Sequence, residues 1–457
     1  MKMTGSGKKI DAEYEYIVVG TGPGGAPVAL ELAKAGKKVL ILERGAYHKR
    51  LLGFPFGMRL SEKFFIFCRS LEGVVLERGL TVGGSSMIYN ANVYDPTASL
   101  IEAMGIDFRP EAEEIKAEIG THVLPERFFN HSGSNGGVRM QEAAEKMGIP
   151  FTPQQKFIDT EKCRPGCDWC MLGCPHNAKW TTREYIEEAL THGAHLAWSS
   201  PVQKVLFDES GKKAIGVMLK GGRRIMADKV ILAAGGIGSP AILQRSDVEG
   251  VGQRFFMDPM VIIYGVNQHK RGGCWGETTF THAIESFKDD GFIIGNNGAF
   301  GTWLVMSFIR LGVGVRNWHK LFSVRRGMGL FVKLAEDDRG TIFPNERVSK
   351  VITERDEKRM NKGVEIAKEI MLKAGAKPGS ISELRWAGGH PGGTIAMGQF
   401  TDRGFATEFE NLYVCDASVL PISPGVPPTL SILAMSRLLG RFLLAQASPE
   451  ERKPERN

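Results

Sequence analysis

The chain has 457 residues, 42% of them hydrophobic, enough for a sizeable core and, by the usual size of domains, for two or three folding units. Its 58 Lys and Arg against 51 Asp and Glu leave a formal charge of +7, spread along the chain rather than gathered in a basic arm, which gives no support for nucleic-acid binding. The start carries charge but no apolar stretch and no twin arginine, and the most apolar runs, 303–309 and 64–68, end at Arg310 and Arg69, well short of the ~20 residues a spanning helix needs; a cytoplasmic protein without a transmembrane segment is expected.

The first element in chain order is a dinucleotide seat. Tyr14 to Val19 reads as a short buried strand, Gly20-Thr21-Gly22-Pro23-Gly24-Gly25 as a tight turn, and Ala26 to Ala35 as an apolar-periodic helix. Gly20 permits the turn, Gly22 lets the backbone approach a pyrophosphate, and Gly25 lets helix and strand pack closely while the helix N-terminus faces the anion. A second strand, Lys38 to Leu42, ends at Glu43, near the distance at which a carboxylate accepts from a ribose diol. These residues do not choose between FAD and NAD.

Gly83-Gly84-Ser85-Ser86 follows, with Arg78 before it and Asn90 after. Next comes Cys163-x3-Cys167-x2-Cys170-x3-Cys174-Pro175, while the other three cysteines, Cys68, Cys274 and Cys415, are isolated, so the seven point to metal rather than to a disulfide framework. From Cys167 onward the run matches the end of a bacterial ferredoxin run, with the first gap one residue longer. Tight turns at Pro165, Gly166 and Gly173 are expected to bring all four sulfurs to one point. Zinc pairs are normally about a dozen or more residues apart, so an iron-sulfur cluster leads, with zinc and metal-free thiols as alternatives. The longer gap leaves Cys163 as a ligand, and hence a 4Fe-4S or a 3Fe-4S cluster, open.

A helix is predicted over Arg183 to Leu190, then strands over Val202 to Phe207, Ala214 to Leu219 and Lys229 to Ala234, running into a turn at Gly235-Gly236-Ile237-Gly238-Ser239-Pro240. Between Asp258 and Glu383 the aromatic residues Trp275, Phe280, Phe287, Phe292, Phe300, Trp303, Phe308, Trp318 and Phe322 are expected in an antiparallel sheet and helices that shape a pocket. His319, Lys320, Arg325 and Arg326 read as solvated surface, with a docking face for an acidic partner as the alternative. His390 stands in Gly388-Gly389-His390-Pro391-Gly392-Gly393-Thr394, and an imidazole suits the removal of a hydroxyl proton near neutral pH. Tyr413 to Cys415 forms a strand ending at Asp416, followed by Pro421 and the apolar helix Thr429 to Leu444; the charged tail 448–457 is expected to be disordered.

Taken in this order, the motifs resemble the glucose-methanol-choline (GMC) oxidoreductase family over most of the chain. The resemblance implies an α/β fold: a Rossmann-like FAD-binding domain assembled from discontinuous segments 11–95, 196–257 and 386–447, and an α+β substrate domain with an antiparallel sheet from 96–195 and 258–385, the cysteine-rich insert occupying 160–180. FAD would then be held by Gly20, Gly22, Gly25, Glu43, Arg44, Gly83, Gly84, Ser85, Ser86, Val202, Ala234, Gly235, Asp416 and Pro428, with Val202 near the adenine and Asp416 at the ribityl and pyrophosphate region. His390 would be the base, matching the family's His-x-x-Gly-Thr pattern residue for residue. The family usually adds a second polar side chain where this sequence has Pro427, which offers none. Cys163, Cys167, Cys170 and Cys174 resemble a branch with an iron-sulfur insert. A dehydrogenase is thus expected, taking a primary or secondary alcohol, apolar or aromatic, and passing electrons through the cluster to an acceptor protein or quinone. A flavin and iron-sulfur reductase of a carbonyl or activated double bond, and an electron-transfer subunit, are the alternatives, and an oligomer is open.

Overall fold

A computed structural model describes residues 3–4, 10–48, 67–130, 135–167, 169–298, 325–337 and 340–446. Among the expected features, Phe300, Trp303, Phe308, Trp318, Phe322, His319, Lys320 and the tail 448–457 lie outside the described residues.

Within the strand Glu13–Val19, residues Tyr16 to Val19 are apolar and buried on both faces, as is Val39–Leu42, the pattern of a strand covered on both sides, and the two pair in parallel with Tyr16 opposite Val39. Around them the described residues build an eight-stranded sheet. Arg224–Leu232 lies on the other side of Glu13–Val19, also parallel, and its last residues, Val230 to Leu232, pair with Leu412–Val414. Its first residues instead continue an antiparallel meander through Ala214–Leu219 and Val202–Phe207. The far edge is His195–Ala197 and the short Met3–Thr4. The helices Ala26–Lys34, Arg183–Thr191 and Thr429–Gln446 pack together on this sheet.

A second eight-stranded sheet runs in the order Phe67–Arg69, Val75–Glu77, Ser382–Gly392, Phe256–Val266, Gly327–Leu334, Phe292–Asn296, His282–Ile284, Thr152–Pro153. Its pairings are antiparallel except where Val75 and Leu76 meet Ala387 and Gly388. The helix Glu354–Lys373, capped by the Thr353 hydroxyl accepting from Asp356 N at 3.0 Å, lays Met360, Val364, Ala367, Ile370 and Met371 against it. This is the expected combination of a Rossmann-like sheet with a sheet-rich substrate region.

One local expectation is corrected. Gly235 to Pro240 is the opening of a helix, Gly235–Arg245, and the strand before it is Arg224–Leu232 rather than a run ending at Ala234. Pro240 sits inside that helix, where it has no N–H for the carbonyl four residues back, at Gly236. The Thr394 hydroxyl supplies the missing donor, at 2.9 Å from that carbonyl, so a tertiary contact lets the helix run through its proline.

Candidate active site

The glycine turn opens onto a cleft of about 910 Å³ between the two sheets. Of the sequence-predicted cofactor residues, Gly20, Gly22, Glu43, Arg44, Gly84, Ser85, Ser86, Val202, Ala234, Gly235, Asp416 and Pro428 line it, and Gly25 and Gly83 do not. Gly25 serves packing instead: a Cβ there would stand 2.1 Å from the carbonyl oxygen of Gly20. Gly83, at φ +96°, turns the chain so that its N–H donates to Thr21 Oγ1 at 3.0 Å.

Gly22 tests whether a dinucleotide fits. A Cβ on it would meet only Gly84 Cα, at 3.9 Å, so this backbone faces open space in the cleft, at the N-terminal end of the helix Ala26–Lys34. Two carboxylates of the cleft wall, Glu43 and Asp416, have similar surroundings. Glu43, buried, accepts from Thr21 and from Gly45 N at 2.7 Å, and burial raises its pKa. Asp416, also buried and likewise raised by burial, accepts from Gly235 N at 2.8 Å, Ser418 N at 2.7 Å and the Ser239 hydroxyl. Arg44 and Arg78 converge on Glu346 at 2.6 and 2.9 Å along the cleft wall. The glycine-serine loop is docked by Thr182, whose hydroxyl donates toward Gly83 O at 2.8 Å and Thr21 O at 3.0 Å.

His390 lies on the strand Ser382–Gly392 at φ +53°, a conformation that a non-glycine residue adopts at a cost and that recurs at functional sites. The residue lines both the large cleft and a smaller cavity of about 110 Å³. Nδ1 is paired with the Asp258 carboxylate, which also accepts from Gly389 N at 3.2 Å and from Lys333 Nζ at 2.6 Å. Asp258 is buried; burial alone would raise its pKa, but His390 and Lys333 together outweigh burial and hold the carboxyl below its ordinary range. Burial lowers the pKa of His390, with Asp258 opposing and Lys333 adding to the effect. Glu77, in the wall of the small cavity, is pushed up to about 7 by burial and then by Asp258. Asp258, Lys333 and Glu77 were not foreseen. The one local signal was an acid within the apolar run Phe255-Phe256-Met257-Asp258.

The four clustered cysteines are half-buried neighbours: burial and then the nearby Cys170, Cys174 and Cys167 push the Cys163 thiol up to about 12. Their convergence on one point, expected from their spacing, is not shown. Among the described residues no three His, Cys, Asp or Glu side chains converge tightly enough to grip an ion. Cys174 turns its sulfur back onto the N–H groups of Ala178 and Lys179, at 3.3 and 3.4 Å, and so is held toward its own loop. The buried Lys179 ties that loop to the segment after the glycine-serine loop, donating to Met87 O at 2.9 Å, Tyr89 O at 3.0 Å and Cys170 O at 2.6 Å.

Among the described residues no helix is long and apolar enough to cross a membrane. Comparison with known proteins accords with the cleft. An uncharacterized protein of Methanocaldococcus jannaschii is 25% identical over 436 residues, covering 94% of this chain and 100% of the relative. A long-chain-alcohol oxidase of Arabidopsis thaliana is 24% identical, covering 94% of this chain and 68% of its own length. Among solved structures, pyridoxine 4-oxidase from Mesorbium loti superposes with a TM-score of 0.70 at 17% identity, over 95% of this chain and 100% of that one. Formate oxidase of Aspergillus oryzae superposes with a TM-score of 0.71 at 15% identity, over 96% of this chain and 99% of that one. Family models for GMC oxidoreductases match residues 14–260 and 331–436, and the chain therefore belongs to the GMC oxidoreductase family of FAD enzymes that act on CH–OH groups.

Proposed function

We propose that this protein is an FAD-dependent alcohol dehydrogenase in which His390 is the base. The observation that carries the reading is the position of His390, which lines both the large cleft and the smaller cavity. With Nδ1 committed to the ionised Asp258, Nε2 is the nitrogen left to take a hydroxyl proton. The cavity wall of Ile88, Met171, Met260, Ile262, Phe280 and Phe331 suits an apolar or aromatic carbon skeleton on a primary or secondary alcohol. FAD in the large cleft supplies a hydride acceptor. Its holders are the lining residues from Gly20 to Pro428, with Gly25 and Gly83 shaping the turns behind them.

For Cys163, Cys167, Cys170 and Cys174 we propose, on their spacing, an iron-sulfur cluster, 4Fe-4S or 3Fe-4S, around which the loop closes when iron is inserted. A cluster passes single electrons, which suits a protein or quinone acceptor. Met171, between Cys170 and Cys174, already borders the small cavity, so the loop lies beside the proposed site.

Anaerobic titration of the flavin-loaded protein with a panel of primary and secondary alcohols is the test. At least one should bleach the flavin, and His390→Ala should abolish the bleaching while retaining flavin; bleaching that survives the substitution would exclude His390 as base. Iron and acid-labile sulfide should be found after oxygen-free purification and be lost in Cys170→Ser. Zinc, or thiols without metal, would overturn the cluster.

A further inference from the structure

The wall of the small cavity contains a cation whose place in the reaction is not described by the base alone. Lys333, on the strand Gly327–Leu334, lines this cavity with a side chain 5% exposed. Its Nζ is 2.6 Å from Asp258 Oδ2 and 3.2 Å from His390 Nδ1. Because Nδ1 carries its hydrogen toward Asp258, it has no lone pair for the ammonium, so the contact with Asp258 takes one of the three N–H donors of Lys333. The others remain for an oxygen in the cavity.

Among the described residues that line the cavity Lys333 is the one Lys or Arg, beside the uncharged polar side chains of Tyr89, Asn90, Asn92, Thr279, Asn297 and Thr429. Pro427 also lines the cavity, and its ring neither donates nor accepts. The amide of Asn92 is already committed, its Nδ2 to Phe280 O at 2.8 Å and its Oδ1 to Lys156 Nζ at 2.8 Å. Thr279 donates to Asn297 Oδ1 at 3.3 Å. An alcohol oxygen placed to give its proton to His390 Nε2 gains negative charge as the carbinol carbon is oxidised, and a positioned donor stabilises that charge.

We propose that Lys333 is a catalytic residue that donates a hydrogen bond to the substrate oxygen and stabilises the negative charge developing there, the polar service that Pro427 cannot perform. The reading rests on the alcohol-oxidising function proposed above. In the step it serves, the O–H bond breaks with its proton going to His390 Nε2. The C–H bond breaks with its electron pair going to the oxidised flavin as hydride, and the C=O bond forms. Lys333 gives up no proton. The charged groups that face His390 are Asp258 from Phe256–Val266, Lys333 from Gly327–Leu334 and Glu77 from Val75–Glu77. Removing the ammonium leaves Asp258 as the charge in contact with the ring, which favours the imidazolium.

Rapid anaerobic mixing of flavin-loaded protein with an alcohol that bleaches the unaltered protein tests this. Lys333→Met is expected to keep its flavin, to lower the limiting rate of flavin reduction about a hundredfold, and to move the acid limb of the rate to higher pH. A shifted limb with an unchanged limiting rate would show that Lys333 acts on His390 alone and would overturn the role on the substrate oxygen. An unchanged limiting rate with an unshifted limb would overturn the proposal. Should Lys333→Met fail to fold with flavin, Lys333→Arg and Lys333→Gln decide: the guanidinium variant reducing its flavin faster supports the role, and equal rates overturn it. If no alcohol bleaches the unaltered protein, the proposed function falls and this role falls with it, whereas a bleachable enzyme indifferent to Lys333 sinks the lysine alone.

Discussion

Thr394 donates its hydroxyl hydrogen to the Gly236 carbonyl at 2.9 Å, joining the strand of the proposed base to the helix that begins at the cleft. The two segments also touch through backbone, since a Cβ on Gly236 would stand 2.1 Å from Pro391 O. Thr394 is buried, so Thr394→Val leaves a carbonyl without a donor and should cost about 1–3 kcal/mol in urea unfolding. Thr394→Ser, which keeps the hydroxyl, should retain most of that stability; an equal loss in both would show that the methyl, not the hydrogen bond, matters.

The two glycines of the first turn should separate folding from flavin binding. Gly22→Ala meets no protein atom closer than 3.9 Å but puts a methyl into the cleft. It should fold with normal stability when freed of flavin and yet retain FAD poorly, with affinity down at least about tenfold, or ~1.4 kcal/mol. Gly25→Ala drives its Cβ to 2.1 Å from Gly20 O and should instead lower stability by about 1–3 kcal/mol whether or not flavin is added. Flavin absorbance per chain, read beside thermal melts, distinguishes the two.

Burial holds the pKa of His390 below the ordinary imidazole value of about 6.5. A base works when unprotonated, so the acid limb of alcohol-driven flavin reduction should fall below that pH. Asp258 opposes the shift, favouring the protonated ring. Asp258→Asn should therefore move the limb to still lower pH and, by loosening the ring, slow reduction about a hundredfold. A limb that stays where it was would show that Asp258 does not act through His390.

Lys179 satisfies three main-chain carbonyls, those of Met87, Tyr89 and Cys170. Lys179→Met should cost about 3 kcal/mol, because buried acceptors lose their donor, and should release the cysteine loop, so that Cys170 is alkylated faster in the metal-free protein. Unchanged alkylation would mean that the loop is held by other contacts.

The parts legible in the sequence were those whose physics is contained in a short stretch of chain. Gly20 to Gly25 combine a strand, a turn and a helix start within a few residues, so their spacing alone implied a dinucleotide seat, and His390 stood out by its glycine-flanked neighbours. The cysteine spacing was equally visible, but where each sulfur points was not, since Cys174 is oriented by the amides of Ala178 and Lys179. Only the tertiary structure could join Asp258 and Lys333 to His390. They sit 132 and 57 residues away, on the strand beside its own and the next one across, brought together by an antiparallel register in which Asp258 faces Gly389 and Lys333 faces Met260. The same holds for Pro240, which reads locally as a turn and is carried inside a helix by a hydroxyl from Thr394. Local periodicity reports which face of an element is buried, whereas strand register depends on the packing of the whole sheet and fixes which side chains share a site.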